Sequence, residues 1–155
     1  MVKGGLNPET EHLIIPAVKA AGVGTALDPG DVVIEDTATS PDGFKAAATA
    51  ATAAKAGVNV NRVEDSETEL EVVIKGRVRV KAENAIEPNK FVKTGTAKGV
   101  ALWISGTDAE NLKKGYFAGM HDKPVTGSPA KLQDPQTLKA AAANDIIIVD
   151  WGLVV

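Results

Sequence analysis

Cysteine is absent from this 155-residue chain, which excludes disulfide staples and thiolate metal sites. Histidine is almost absent. His12 and His121 are the only two, and neither stands in a His-Glu-x-x-His spacing or beside another obvious ligand, so each reads as a surface or loop histidine. With so few bases a Ser-His-Asp site is not expected, and Ser105 in WISGT lies outside any G-x-S-x-G elbow. Glycine-rich phosphate loops of the G-x-G-x-x-G or G-x-x-x-x-G-K-[ST] type are missing too. Aromatic residues make up 4% of the chain, too few to line a groove for glycoside cleavage by paired carboxylates.

Two further absences bear on partners. No run approaches the ~20 apolar residues of a membrane-spanning helix. The N-terminal MVKGGLNPETEHLIIPAVKAAGV lacks the apolar centre of a signal peptide, so the expectation is synthesis in a cytoplasm, with use or assembly there and no membrane partner. Charge of one sign is not in excess: 17 basic and 20 acidic residues leave −3, no footprint for nucleic acid. Acidic residues do cluster, as Asp28, Asp31, Glu35 and Asp36, and as Glu64, Asp65, Glu67, Glu69 and Glu71. Neither cluster has the calcium-loop spacing, and both read as solvated loops. The parts list gives no enzyme, no metal and no cofactor.

What is present is strand pattern. In ELEVVIKGRVRVKAENAI, residues 69–86, Leu70, Val72, Ile74, Val78, Val80 and Ala82 hold even positions, while Glu69, Glu71, Lys75, Arg77, Arg79 and Lys81 hold odd ones. Successive strand side chains point to opposite faces, so this predicts one long strand with an aliphatic core face and a charged outer face. The basic stripe Lys75, Arg77, Arg79 and Lys81 is the most organised polar feature. It reads as a solvated face paired with carboxylates on the next strand, or as an electrostatic contact with an acidic protein surface.

Turns of the Asp-Pro-Gly (28–30), Ser-Pro-Asp-Gly (40–43), Glu-Asp-Ser-Glu (64–67), Glu-Pro-Asn-Lys (87–90) and Thr-Ala-Lys-Gly (96–99) kind separate short strands at about ten-residue spacing. IIIVDWGLVV is apolar on both parities, as in a strand buried on both faces. The expected class is all-β, mainly β, a small barrel or sandwich with an extended N-terminal arm and one or two short helices. Residues 1–24 read as the arm, broken by Gly4, Gly5, Pro8 and Pro16 and carrying the apolar patch Leu13, Ile14 and Ile15. Residues 25–155 read as one barrel-like domain with a loop or short-helix insertion at 107–133.

Three segments argue for helix. TDAENLKKGYF (107–117) offers Thr107 as cap and Gly115 as stop and is the favoured one. KAAATAATAAKA (45–56) is alanine-rich, and DPQTLKAAAAND (134–145) offers Asp134 as cap before Pro135. Against the last two, a shared pattern in GFKAAATAATAAKAGV, KFVKTGTAKGVALWI and TLKAAAANDIIIVDW points to repeated hairpin-like units.

A Pro-Gly-Asp turn into a valine strand (Pro29 to Val33), the long strand VVIKGRVRVKA, an Ala-Ile-x-Pro turn, the FVKTG hairpin and an apolar closing strand follow one another along the chain. This order resembles the capsid cement, or head decoration, proteins of tailed bacteriophages and related archaeal viruses, over roughly residues 27–104 and more faintly 137–155. The resemblance implies a β-barrel homotrimer on the outside of a virion, clamping neighbouring major capsid protein subunits of an icosahedral shell, with no nucleic-acid partner. On that reading Leu13, Ile14 and Ile15 contact the shell, and Lys75, Arg77, Arg79 and Lys81 face a sister subunit or the shell. Trp103 and Trp151 serve the core, and deletion of residues 1–15 leaves the barrel folded but weakens attachment. The alternative is a β-rich tail, spike or surface module for a receptor or glycan, resting on Tyr116 and Trp103. A trimeric nucleotide-hydrolysing barrel would need a serine-bearing phosphate loop and a well-placed strand aspartate, for which there is no convincing candidate.

Overall fold

The computed structural model describes residues 5–6, 12–20, 26–36, 43–46, 54–87, 89–120, 124–125, 131–132 and 140–152. Among these residues twelve strands run in chain order: β1 (Gly5–Leu6), β2 (His12–Lys19), β3 (Val32–Glu35), β4 (Gly43–Ala46), β5 (Ala56–Asn59), β6 (Glu69–Lys81), β7 (Phe91–Thr94), β8 (Val100–Leu102), β9 (Gly115–Met120), β10 (Pro124–Val125), β11 (Lys131–Leu132) and β12 (Ile146–Trp151). The all-β expectation holds. Ten of the strands form one sheet in the order β2-β4-β3-β5-β6-β12-β9-β7-β8, with β1 beside β6, and β10 pairs with β11.

The 69–86 pattern becomes the 13-residue β6, and the whole sheet is organised on it. Its first half pairs with β2 on one edge and β5 on the other; its second half pairs with β12 and β1. The sheet curls, because β2 joins both β6 and, through a two-residue parallel ladder, β4. At the far end only an isolated bridge, Ala82 to Val100, reaches back from β8. The expected barrel is thus corrected to a coiled sheet that is not a closed barrel. The hydrogen bonds needed for full closure are replaced at that seam by turns and side chains.

Two cores result. Leu70 and Val72 of β6 pack with Ala17, Leu27, Val33, Phe44 and Val63, while Val78, Val80 and Ala82 join Phe117, Ile147, Val149 and Trp151 in the larger one. The even residues of β6 are buried as the alternation requires, Ile74 and Gly76 only partly. Val73, an odd residue, is fully buried too. It joins Val32, Ile34, Ala56 and Val58 in the larger core while Val33 faces the smaller. β3 and β5 are therefore a wall between two cores, with apolar side chains on both faces of β3. The wall is thin at Gly57: a Cβ there would stand 2.7 Å from Val73 O and closer still to Val72 Cγ1. Trp151 is buried and donates its Nε1–H to Ala56 O at 3.1 Å, and Trp103 is buried with Nε1 on Ala109 O. Trp151 thus serves the larger core, while Trp103 is buried outside both clusters.

Several expectations need correction. The described residues of the arm, 5–6 and 12–20, are extended but belong to the sheet: β2 pairs with seven residues of β6, from His12 opposite Gly76 to Val18 opposite Glu69. Deleting residues 1–15 would therefore remove β1 and half of β2, along with the packing of Ile15 on the smaller core. Within 107–117 a single 3-10 turn, Glu110–Leu112, replaces the expected helix, with Ala109 at its N-cap and no side-chain capping bond. Gly115 starts β9 instead of stopping a helix, because Gly115–Met120 is inserted between β12 and β7. That placement also makes residues 115–120 of the expected 107–133 insertion a central strand. Described parts of the alanine-rich segments are strand or bend: Lys45 and Ala46 lie in β4, and Ala141 bridges Ile86. Residues 47–53 and 133–139 lie outside the described residues.

Candidate functional site

The β2–β6 ladder brings together the apolar patch and the start of the basic stripe, which the sequence singles out far apart along the chain. Leu13 stands opposite Lys75 and Ile14 opposite Val73, with a register shift between Leu13 and Ile14. That shift turns both side chains outward. Leu13 is 52% exposed and Ile14 and Val18 are each 40% exposed, although all lie on a strand hydrogen-bonded into the sheet. Ile15 points the other way and packs on the smaller core, so the patch Leu13, Ile14 and Ile15 is split. Its outer row is Leu13, Ile14, Pro16 and Val18. Pro16 is tolerated in mid-strand because β4 pairs with β2 only at Val18 and Lys19, leaving no ladder partner on that edge at Pro16 among the described residues.

The basic stripe is also divided. Lys75 is exposed beside Leu13. Arg77 is committed to Asp150 on β12, with Nε and Nη2 donating to the two carboxylate oxygens at 2.7 and 3.2 Å. This bidentate bond holds the guanidinium above its ordinary pKa, against partial burial. His12 Nε2 lies 2.8 Å from Arg77 O. Arg79 is half-buried, and its Nε has no hydrogen-bond partner among the described residues. Lys81 is half-buried as well. Of the four basic residues only Lys75 joins the exposed apolar row, and the paired-carboxylate reading accounts for Arg77.

Glu69 and Glu71 lie on the exposed charged face of β6, as the alternation expects, and border this same patch. Glu69 lies opposite Val18 and Glu71 opposite Pro16, so a row of carboxylates runs beside the apolar row. β5 ends at Asn59, and the Asn61 side chain takes its place along β6: Nδ2–H donates to Glu69 O at 3.1 Å and Oδ1 accepts from Glu71 N–H at 3.0 Å. The backbone is thus satisfied while both carboxylates stay exposed and without a cation partner among the described residues. The neighbouring 64–67 loop is fixed from below by Lys19, buried, whose Nζ donates to Glu64 O and Asp65 O at 2.9 and 2.8 Å. Arg62 clamps the loop from above, bonding Glu64 at 2.9 Å and also Asp28, and its guanidinium lowers the Glu64 pKa. Pro16, Val18, Asn61, Glu69 and Glu71 border an open groove of about 490 Å³.

Among the described residues no three His, Asp or Glu side chains converge as metal ligands would, and no helix is long and apolar enough to cross a membrane. The Phe91 and Trp103 rings are spanned by Lys113 of their own chain, whose Nζ sits 4.3 and 4.2 Å from the two ring centres. The arrangement can bind a surface by burial and charge. No protein-family model and no curated protein matches the chain.

Proposed function

We propose that this chain is a structural protein that attaches to the outside of an icosahedral shell, bridges neighbouring major capsid protein subunits as a homotrimer, and acts without catalysis. The observation that carries the reading is the outer row of β2. Leu13, Ile14 and Val18 are large, apolar and exposed, yet held in register by β6. A rigid strand presenting aliphatic side chains loses little conformational freedom on docking, which favours binding. Four side chains cover much less than the ~800 Å² per partner of a standard interface. Repetition around a symmetric lattice compensates for a weak single contact through avidity. The sequence resemblance to capsid cement proteins supplies the identity of the shell and the number three.

The receptor- or glycan-binding alternative draws less support. It needs exposed aromatic rings, and Trp103 is buried with its indole N–H already used. Co-sedimentation with undecorated shells of the same virus tests the proposal. The protein should pellet with shells, and Leu13→Ser/Ile14→Ser should remain in the supernatant while keeping its thermal transition. A folded wild-type chain that never pellets would refute it.

A further inference from the structure

The two rows on the β2–β6 face differ in chemistry, and that difference specifies a partner more narrowly than apolar burial does. Glu69 and Glu71 stand two residues apart on one strand, so their carboxylates project from the same face about 7 Å apart along it. Beside them, one strand spacing away, run Val18 and Pro16. The rim continues the charge, since Glu64, Asp65 and Glu67 are all exposed on the loop that Lys19 and Arg62 hold in place. The described cations at that rim are already engaged, Arg62 with Glu64 and Asp28 and Lys19 with the Glu64 and Asp65 carbonyls.

We infer that this groove takes an extended segment of a partner protein in which Lys or Arg alternates with aliphatic residues. Such a segment repeats its side chains at the same spacing as Glu69 and Glu71. Its cations meet both carboxylates at once, and its aliphatic carbons cover Val18 and Ile14. Among the described residues the carboxylates carry no cation to be displaced, and the strand beneath them keeps its hydrogen bonds through Asn61. The inference rests on the docking reading above and adds the chemistry of what docks.

The probe is a synthetic nonapeptide of alternating Lys and Val, compared with its Glu-for-Lys counterpart by titration calorimetry, at low salt and near 1 M salt. The Lys peptide should bind, the Glu peptide should not, and binding should fall with salt. Glu69→Gln/Glu71→Gln should weaken it about three- to tenfold, as expected for two exposed ion pairs. Ile14→Ser/Val18→Ser should weaken it at both salt concentrations, and Glu110→Gln, far from the groove in sequence and fold, should leave it unchanged. Equal binding of the two peptides, no binding of either, or an unaltered affinity in the Gln pair would overturn the inference. Co-sedimentation separates the two claims. Shell attachment without peptide recognition removes the groove chemistry alone, whereas peptide recognition without shell attachment upholds it and removes the capsid reading.

Discussion

Glu83 offers the sharpest test of how the seam beyond β6 is held. Its Oε1 accepts the backbone N–H of Thr96 and of Ala97, both at 2.8 Å, and Oε2 accepts that of Gly99 at 2.8 Å. The carboxylate fills the β7–β8 turn, next to the Ala82–Val100 bridge and the Glu83 N–H to Val100 O bond. Hydrogen bonds to a charged group contribute about 1.5–3 kcal/mol each, less where water can replace the acceptor. Thr96 and Ala97 are exposed and can be rehydrated, while Gly99 is buried. Glu83→Ala should therefore cost about 2–4 kcal/mol, mostly through the Gly99 N–H, and lower the melting temperature by roughly 5–15 °C for a chain of this size. Glu83→Gln keeps an acceptor for two amides but turns an NH2 toward the third, so it should fall between.

Gly95 completes the experiment. A Cβ there would overlap Glu83 Oε2 and stand 2.7 Å from Oε1, and Gly95 is not among the residues with positive φ. Gly95→Ala should thus act by expelling the carboxylate, at a cost similar to Glu83→Ala. The double variant should be no worse than either single one, a coupling of about 2–4 kcal/mol in a urea-unfolding cycle. Additive costs would show that the carboxylate does not hold the turn.

Gly57→Ala should destabilise by about 1–3 kcal/mol or more in urea unfolding, since the added methyl presses on Val72 and on the Val73 carbonyl in the wall between the cores. Phe117→Ala, at a site with no solvent exposure, should cost about 3–5 kcal/mol and lower the thermal transition accordingly. Asp31 and Asp108 should respond to pH in opposite senses. Burial raises the Asp31 pKa above its ordinary 3.8, so its charged form opposes folding above that raised value and the penalty vanishes below 3.8. Asp31→Asn should match or exceed the wild type in thermal stability at pH 7 and lose the advantage in acid. Asp108 is lowered by its Lys93 bond and by the Ile104 N–H, so its contribution is complete above 3.8 and lost as pH falls through the depressed value. Asp108→Asn should melt below the wild type at pH 7, with the gap closing in strong acid.

Strand alternation is a local property, and for that reason the sequence determined β6 nearly to the residue, along with the burial of Leu70, Val72, Val78, Val80 and Ala82 on one side of it. It also determined the all-β class and most turns, because Gly, Pro and Asp act on their own backbone. Partner choice is long-range and was settled only by tertiary pairing. Nothing near residue 13 announces that it lies across from Lys75, nothing near Arg77 names Asp150 as its partner, and no local pattern says that Val73 faces a second core. The 107–117 segment shows the same limit. Its helix signals were overridden because Gly115–Met120 gains two neighbouring strands, and ladder bonds along both edges outweigh a capped turn or two. The apolar and acidic rows existed in the sequence as separate fragments, and a groove formed only when β2 was laid along β6, since side-chain proximity across a sheet depends on register.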